Sequence, residues 1–562
     1  MSHGIIITPG LAPRALNVPP VAAHDAGFPH LARRRAQLAI AATIVAFLGI
    51  AGQLTRLALL GQDRQTVSIS APLATGFARP DIVDRNGRLI AADVAMPSLY
   101  ADPSIVINRD ELVEKLARVL PDLDTAALRT SLADRSKRFV WIRRGLSPAV
   151  AEQVFHLGEP SLDFRYELRR SYPSGSRAGH LIGQVDIDNR GRSGLERHLD
   201  DKGLVEPVHG AAPSSRPPVR ASLDIGVQHA LEDELQAAMT RYRSQAASAV
   251  VLDAATGEVL AAASLPGVDP LNAGEFLDPA RVDRLAGGSY ELGSIMKAFT
   301  VAMAVDAGQA GLETRLDVSK PIEADGYTIK EKHAPDAPLT LAEILARSSN
   351  VGVGILALQA GAERQRAYFE RFGLSQEITT EAGAVPAPRL PARRGDIETV
   401  TLSYGHGIAA APLQVAAAMA ALVNGGLRVS PTFLMRQPAT TSSERILSPA
   451  TSEAMRVMLR GVVTDPHGTG RKADVPGLDI GGKTGTAEMP KAGGYDKGKV
   501  IASFLAAFPM SAPRYVTLLS LFEPQGTDET KGEMTAYYNA APATGRLISR
   551  IAPLLGVFPP RP

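Results

Sequence analysis

The sequence predicts an α+β catalytic region, set behind one apolar segment of membrane length and an elongated first region. Three observations carry this. Ala36 to Thr55 is a charge-free, Ala/Ile/Val/Leu-dominated run. Residues 206–218 hold Pro207, Pro213, Pro217 and Pro218 and read as a linker. Beyond it, strand-like runs occur at both ends of the remaining chain with a long helical stretch between them. That order suits one antiparallel sheet carrying helices.

The apolar run is about the 20 residues a helix needs to cross a hydrocarbon core. Arg33, Arg34 and Arg35 stand immediately before it, so the N-terminus is expected to stay cytoplasmic with the rest exported. A cleaved signal peptide is the alternative, with Gly49-Ile50-Ala51 as a small-x-small site. The leader of about 35 residues is long for that. Leu54, Leu57 and Leu60 also continue the apolar spacing beyond it. The expected organisation is a disordered cytoplasmic tail (1–35), a retained single-pass anchor (36–58), a pedestal (59–220) and a catalytic domain (221–562). The expected location is the inner membrane, with the catalytic domain extracytoplasmic.

In the pedestal, Ile82-Val83 enters an Asn86-Gly87 turn and leaves as a second strand. Helical spacing appears at 110–132 and 147–157. In the catalytic region, Asp224 is placed to cap a helix over about 225–243. Ala247–Leu252 and Val259–Ala263 form a hairpin across Ala255-Thr256-Gly257. Residues 294–425 are mostly helical, strands return at 477–487, 499–508 and 514–522, and a helix closes at 541–554.

Composition excludes several classes of function. Net charge is +2 from 60 basic and 58 acidic residues, interspersed along the chain, so nothing points to nucleic acid. No cysteine is present, which removes thiolate zinc sites, disulfides and cysteine nucleophiles. No metal or cofactor is expected.

Three short elements carry the chemistry. In Ser294-Ile295-Met296-Lys297 the hydroxyl and amine share one helical face, so Lys297, if neutral, can activate Ser294. Burial and nearby positive charge favour a neutral lysine. Ser348-Ser349-Asn350 follows a helix-like Leu341–Arg347. Ser348 can relay a proton and Asn350 can donate to a substrate backbone; a plain helix cap is the alternative. Lys483-Thr484-Gly485-Thr486 reads as an edge strand of small residues, where Gly485 admits a close backbone, as an added peptide substrate requires. Lys483 would supply charge, and the Thr486 and Ser294 amides an oxyanion hole. Each element alone is common. His406 and His333 read as structural or substrate-lining, and Asp84 and Arg85 as packing or an interface.

The three elements in this order are the set shared by β-lactamases and penicillin-binding proteins. The chain resembles a class B penicillin-binding protein of the FtsI division type over about residues 36–552. Arg79 to Ala91, Arg170-Ser171-Tyr172-Pro173 and Gly194-Leu195-Glu196 resemble that family's pedestal elements. Ser403-Tyr404-Gly405-His406-Gly407 and Gly468-Thr469-Gly470 are similar to its glycine-rich loops. Departures are Pro80, Leu292, Ile295 and Ala298, none of which removes a reactive group. No Glu-x-x-Leu-Asn element supplies a deacylating glutamate, and no Glu-Asp-x-x-x-Phe signature marks a glycosyltransferase.

The resemblance implies a serine transpeptidase/β-lactamase-like domain that cross-links D-Ala-D-Ala stem peptides at the septum and is trapped by β-lactams. It implies contact with the membrane, a lipid-linked glycan polymerase of the FtsW type and other division proteins. The rivals are an elongation-type class B transpeptidase and, from another class, a silent scaffold or a β-lactam sensor without turnover.

Overall fold

The computed structural model describes residues 30–60, 75–331, 335–393, 395–436, 444–491 and 493–559. The expected tail, all but its last residues, and His333 lie outside them. The chain divides into two units, Met1–Pro72 and Leu73–Pro562.

In the first unit a single helix runs from His30 to Leu60. Its side chains are described at Arg35 and from Gln37 to Gln53, and all of these are exposed, including Leu38, Ile44, Phe47 and Leu48. Among the described residues no helix is long and apolar enough to cross a membrane; both ends of the expected 36–58 span fall outside the described side chains.

The second unit begins with the pedestal. Strand Leu89–Ala101 pairs antiparallel with Leu162–Ser171 from Ala92↔Ser171 to Ala101↔Leu162, and with Val140–Arg143. Helices Arg109–Val119, Thr125–Ala133 and Pro148–Phe155 start at side-chain caps on Asn108, Asp124 and Ser147. Their apolar faces bury Leu112, Leu116, Leu128 and Val154 against Leu99 and Ala101. The expected linker is woven into this region: Glu206–His209 pairs with Thr75–Ala78, and Val219–Arg220 pairs with Ile82–Val83. Pro207 is tolerated because its two-stranded ribbon is all edge.

A buried ion cluster ties these pedestal strands together. The two oxygens of Glu196 receive Arg79 Nε and Arg170 Nε, each at 2.7 Å, and Arg170 also meets Asp93 at 3.2 Å. The Asn86-Gly87 turn forms as expected, with the buried Asp84 accepting from the Asn86 and Arg88 amides at 2.8 Å. It docks on the catalytic region: Asp84 accepts from Ile225 N, Asn86 donates to Asp224, and Arg85 meets Glu258 at 3.3 Å. Asp84 and Arg85 are therefore packing residues.

The catalytic region holds a five-stranded antiparallel sheet. Its order is Gly481–Lys491, Gly494–Phe508, Tyr515–Phe522, Ala246–Asp253, Val259–Leu265. Helices cover both faces, so its strands read as continuous apolar runs while alternate side chains serve different cores. Ala247, Ala249, Val251, Phe504 and Leu519 pack with helices Ile225–Tyr242 and Ala540–Ile551. Val250, Leu252, Leu505 and Leu518 face the helical layer that includes Met296–Asp306, Leu341–Arg347 and Pro449–Thr464. Asp224 caps the first of these helices, accepting from Gly226 N and Val227 N.

Removing the charge at Glu196 leaves the buried Arg79 and Arg170 with Asp200 and Asp93 as their remaining carboxylate partners. Glu196→Gln is expected to destabilise the pedestal by about 3–5 kcal/mol. Denaturant unfolding followed by fluorescence of Trp141, the single tryptophan and a pedestal-sheet residue, measures this directly.

Candidate active site

Ser294 sits on a single 3₁₀ turn, Gly293–Ile295, that leads into helix Met296–Asp306. Lys297 follows in the first turn of that helix, three residues after the serine. Ser294 is half-buried, whereas Lys297 is 1% exposed. The turn is gripped on two sides by backbone, and glycine makes each approach possible. A Cβ on Gly485 would lie 2.1 Å from Leu292 O, and one on Gly405 would lie 2.1 Å from Gly293 O. Gly293 itself has φ +56°, and a Cβ there would meet Thr486 O at 2.7 Å. The backbone that comes close beside Gly485 is that of the nucleophile's own turn. The strand Gly481–Lys491 is nevertheless the sheet edge, with Lys483 opposite Leu505 in its one ladder.

Ser348 ends helix Leu341–Arg347 in the left-handed conformation, φ 61°, and Ser349 caps the next helix, Asn350–Ala360. A serine held at positive φ costs on the order of 1–3 kcal/mol and persists where surroundings enforce it. The two readings of this motif are divided between its serines. Ser349 Oγ accepts from Gly352 N at 2.8 Å as a cap. Ser348 Oγ lies 3.0 Å from Lys297 Nζ and 3.0 Å from Lys483 Nζ. Lys297 also donates to the Ser348 carbonyl, and Lys483 to Thr484 O at 3.0 Å.

Both amines are buried, and burial disfavours their charged forms. The Lys297 amine is pushed down to about 7, with the Glu331 carboxylate opposing the shift. Lys483 is lowered well below the usual lysine range, by burial first and by the Lys297 charge second.

The remaining expected residues fall into place around this array. Asn350, half-buried, opens its helix beside Ser348. Thr484 is buried, and its hydroxyl donates to Thr469 at 2.8 Å, which joins the edge strand to the Gly468-Thr469-Gly470 loop. Thr486 is half-buried and accepts from Ala536 N at 3.1 Å. His406 is exposed, 3.7 Å from Glu291 and tilted against Tyr495. Glu291 accepts from Gly407 N at 3.0 Å and from Tyr495 at 2.9 Å. Sequence reasoning missed Glu291, Glu331 and Tyr495 as parts of the site, since none belongs to a spacing pattern, and it noted the loop of Thr469 without its contact to Thr484. Among the described residues no cluster of His, Asp or Glu is arranged to hold a metal ion.

Comparison with known proteins agrees with this geometry. Residues 247–543 match the penicillin binding protein transpeptidase domain, and residues 76–202 match the penicillin-binding protein dimerisation domain. The chain belongs to the penicillin-binding protein transpeptidase family. It is 40% identical over 490 residues to the probable peptidoglycan D,D-transpeptidase FtsI of Caulobacter vibrioides, covering 85% of this chain and 82% of that one. It is 31% identical to the probable peptidoglycan D,D-transpeptidase PenA of Neisseria gonorrhoeae, over 89% of this chain and 88% of that one. Among solved structures it resembles the apo transpeptidase domain of Burkholderia pseudomallei penicillin-binding protein 3. The TM-score is 0.55 at 30% identity, over 62% of this chain and all of that one.

The glycine packing of this penicillin-binding protein makes a sharp expectation. Gly485→Ala is expected to displace the Ser294 turn and to cut β-lactam acylation by about 100-fold or more. Stopped-flow acylation, with circular dichroism as the folding control, tests it.

Proposed function

We propose that this chain is a peptidoglycan D,D-transpeptidase of the FtsI division type, working through an acyl-enzyme on Ser294. The observation that carries the reading is the Ser348 hydroxyl held 3.0 Å from each of two buried amines, one of them three residues after Ser294. Ser294 Oγ attacks the carbonyl between the two D-alanines of a stem peptide, and neutral Lys297 takes its proton. The backbone amides of Ser294 and Thr486 receive the oxyanion, a role supported by the contact between Gly293 and Thr486. The proton then passes from Lys297 through the Ser348 hydroxyl to the departing D-alanine amine as the C–N bond breaks. An amine of a neighbouring stem attacks the ester. Its proton returns by the same route to Ser294 Oγ, which leaves as the new amide forms. Lys483 orients Ser348, and Asn350 donates to the stem backbone. β-Lactams enter the first half of this sequence and stop there.

The same proposal places helix His30–Leu60 across the inner membrane with the second unit outside. Apolar side chains exposed around that helix and the arginines before its apolar run support this. A lipid-linked glycan polymerase of the FtsW type is the partner proposed for the anchor and pedestal, since no glycosyltransferase signature is present in the chain.

Labelling with fluorescent penicillin tests the assignment. The native chain is expected to label, Ser294→Ala to stay dark, and Lys297→Ala to label at least about 100-fold more slowly. A Ser294→Ala chain that labels as the native one does would refute it.

A further inference from the structure

We propose that Glu331 is a positioning residue for acylation, whose carboxylate clamps the Ser348-Ser349-Asn350 turn and stands as a fixed negative charge acting on Lys297. It deepens the acyl-enzyme reading above and rests on it. Glu331 lies just beyond the strand Tyr327–Ile329, before helix Leu341–Arg347 and outside all three motifs. One of its oxygens, Oε1, receives both the Ser349 hydroxyl and, at 2.9 Å, the Val351 amide. Ser349 Oγ in turn accepts from Gly352 N. The carboxylate therefore sits at the first turn of helix Asn350–Ala360, where both free amides and the helix dipole favour negative charge.

The residue held next to this clamp is Ser348, the left-handed residue that meets both amines. Rotation of the turn toward ordinary helical or extended backbone would carry the Ser348 hydroxyl away from them. Fixing Ser349 and Val351 to one external oxygen blocks that rotation.

The charge has a second consequence. Two charged groups face Lys297 from other elements: Glu331, which raises its pKa, and Lys483 on the edge strand, which shares the Ser348 hydroxyl with it. On its own helix the other charged residue is Asp306, at the far end and engaged with Tyr368 and Thr451. Lys297 serves as base only when neutral, that is, above its pKa. Burial lowers that value and Glu331 raises it, with the balance at about 7. Loss of the Glu331 charge lets the value fall further. The acid limb of acylation then moves to lower pH, and the amine becomes a weaker base on the plateau.

The test uses the detergent-solubilised full chain and a fluorescent penicillin, with acylation rates measured from about pH 5 to 9. Glu331→Gln retains an oxygen that can accept from Ser349 and Val351 but loses the charge. Its acid limb is expected below the native one, with a plateau about tenfold lower. Glu331→Asp keeps the charge on a shorter arm; its limb should stay at the native position while its plateau falls about tenfold. A Glu331→Gln limb coincident with the native one would overturn the electrostatic role. A native plateau in Glu331→Asp would overturn the clamp, and remains decisive if the glutamine variant does not fold. Ser294→Ala in each background keeps the two readings apart. Label surviving there refutes the nucleophile, whereas Ser294-dependent label with unmoved profiles refutes only the role of Glu331.

Discussion

One hydroxyl shared by two buried amines organises this site. Ser348 Oγ lies 3.0 Å from both Lys297 Nζ and Lys483 Nζ, so the amines are at most about twice that distance apart. Two full positive charges so placed would repel by about 3 kcal/mol or more at an effective dielectric of about 20. Burial adds to that cost. The array therefore resists double protonation, and a neutral lysine beside a serine follows from packing rather than from any unusual chemistry of the residues. A left-handed serine, a helix cap and the Glu331 carboxylate all serve to hold that one hydroxyl in place.

The second constraint is steric. The turn that bears Ser294 touches the backbone of the edge strand at Gly485 and Thr486 and that of the 403–407 loop at Gly405. Backbone-to-backbone contact leaves few ways for the nucleophile to shift. Such preorganisation lets a weak nucleophile and a base of ordinary strength react in a fixed geometry. The sheet supplies the rigid frame: the edge strand pairs with Gly494–Phe508, whose residues 500–508 are buried between two helical layers.

Much of this was legible in the sequence. The Asp224 cap, the 246–265 hairpin, the last three strands and the edge position of Lys483 follow from local pattern, because each is fixed by period-2 alternation, turn residues or capping chemistry. The three motifs named the reacting residues for the same reason. What the sequence concealed is long-range. Glu331 meets the second motif only through folding, and Glu291, though three residues before Ser294, finds Gly407 and Tyr495 only through folding. The prolines at 206–218 suggested a free linker, yet two short strands there pair with segments more than a hundred residues earlier. Gly485 was read as a site of close approach, and the nucleophile's own turn approaches it, a contact that local sequence does not reveal. Thr484 likewise belongs to a loop-fastening contact with Thr469.

The most direct test of the account is the location of the acyl group. Trypsin separates residues 285–297, which hold Ser294, from residues 348–364, which hold Ser348 and Ser349. After reaction with a penicillin, mass spectrometry should find the adduct on the first peptide, fragmenting to Ser294. An adduct on the second peptide would contradict the account, since it would make Ser348 or Ser349 the nucleophile and leave the Ser294 turn without a role.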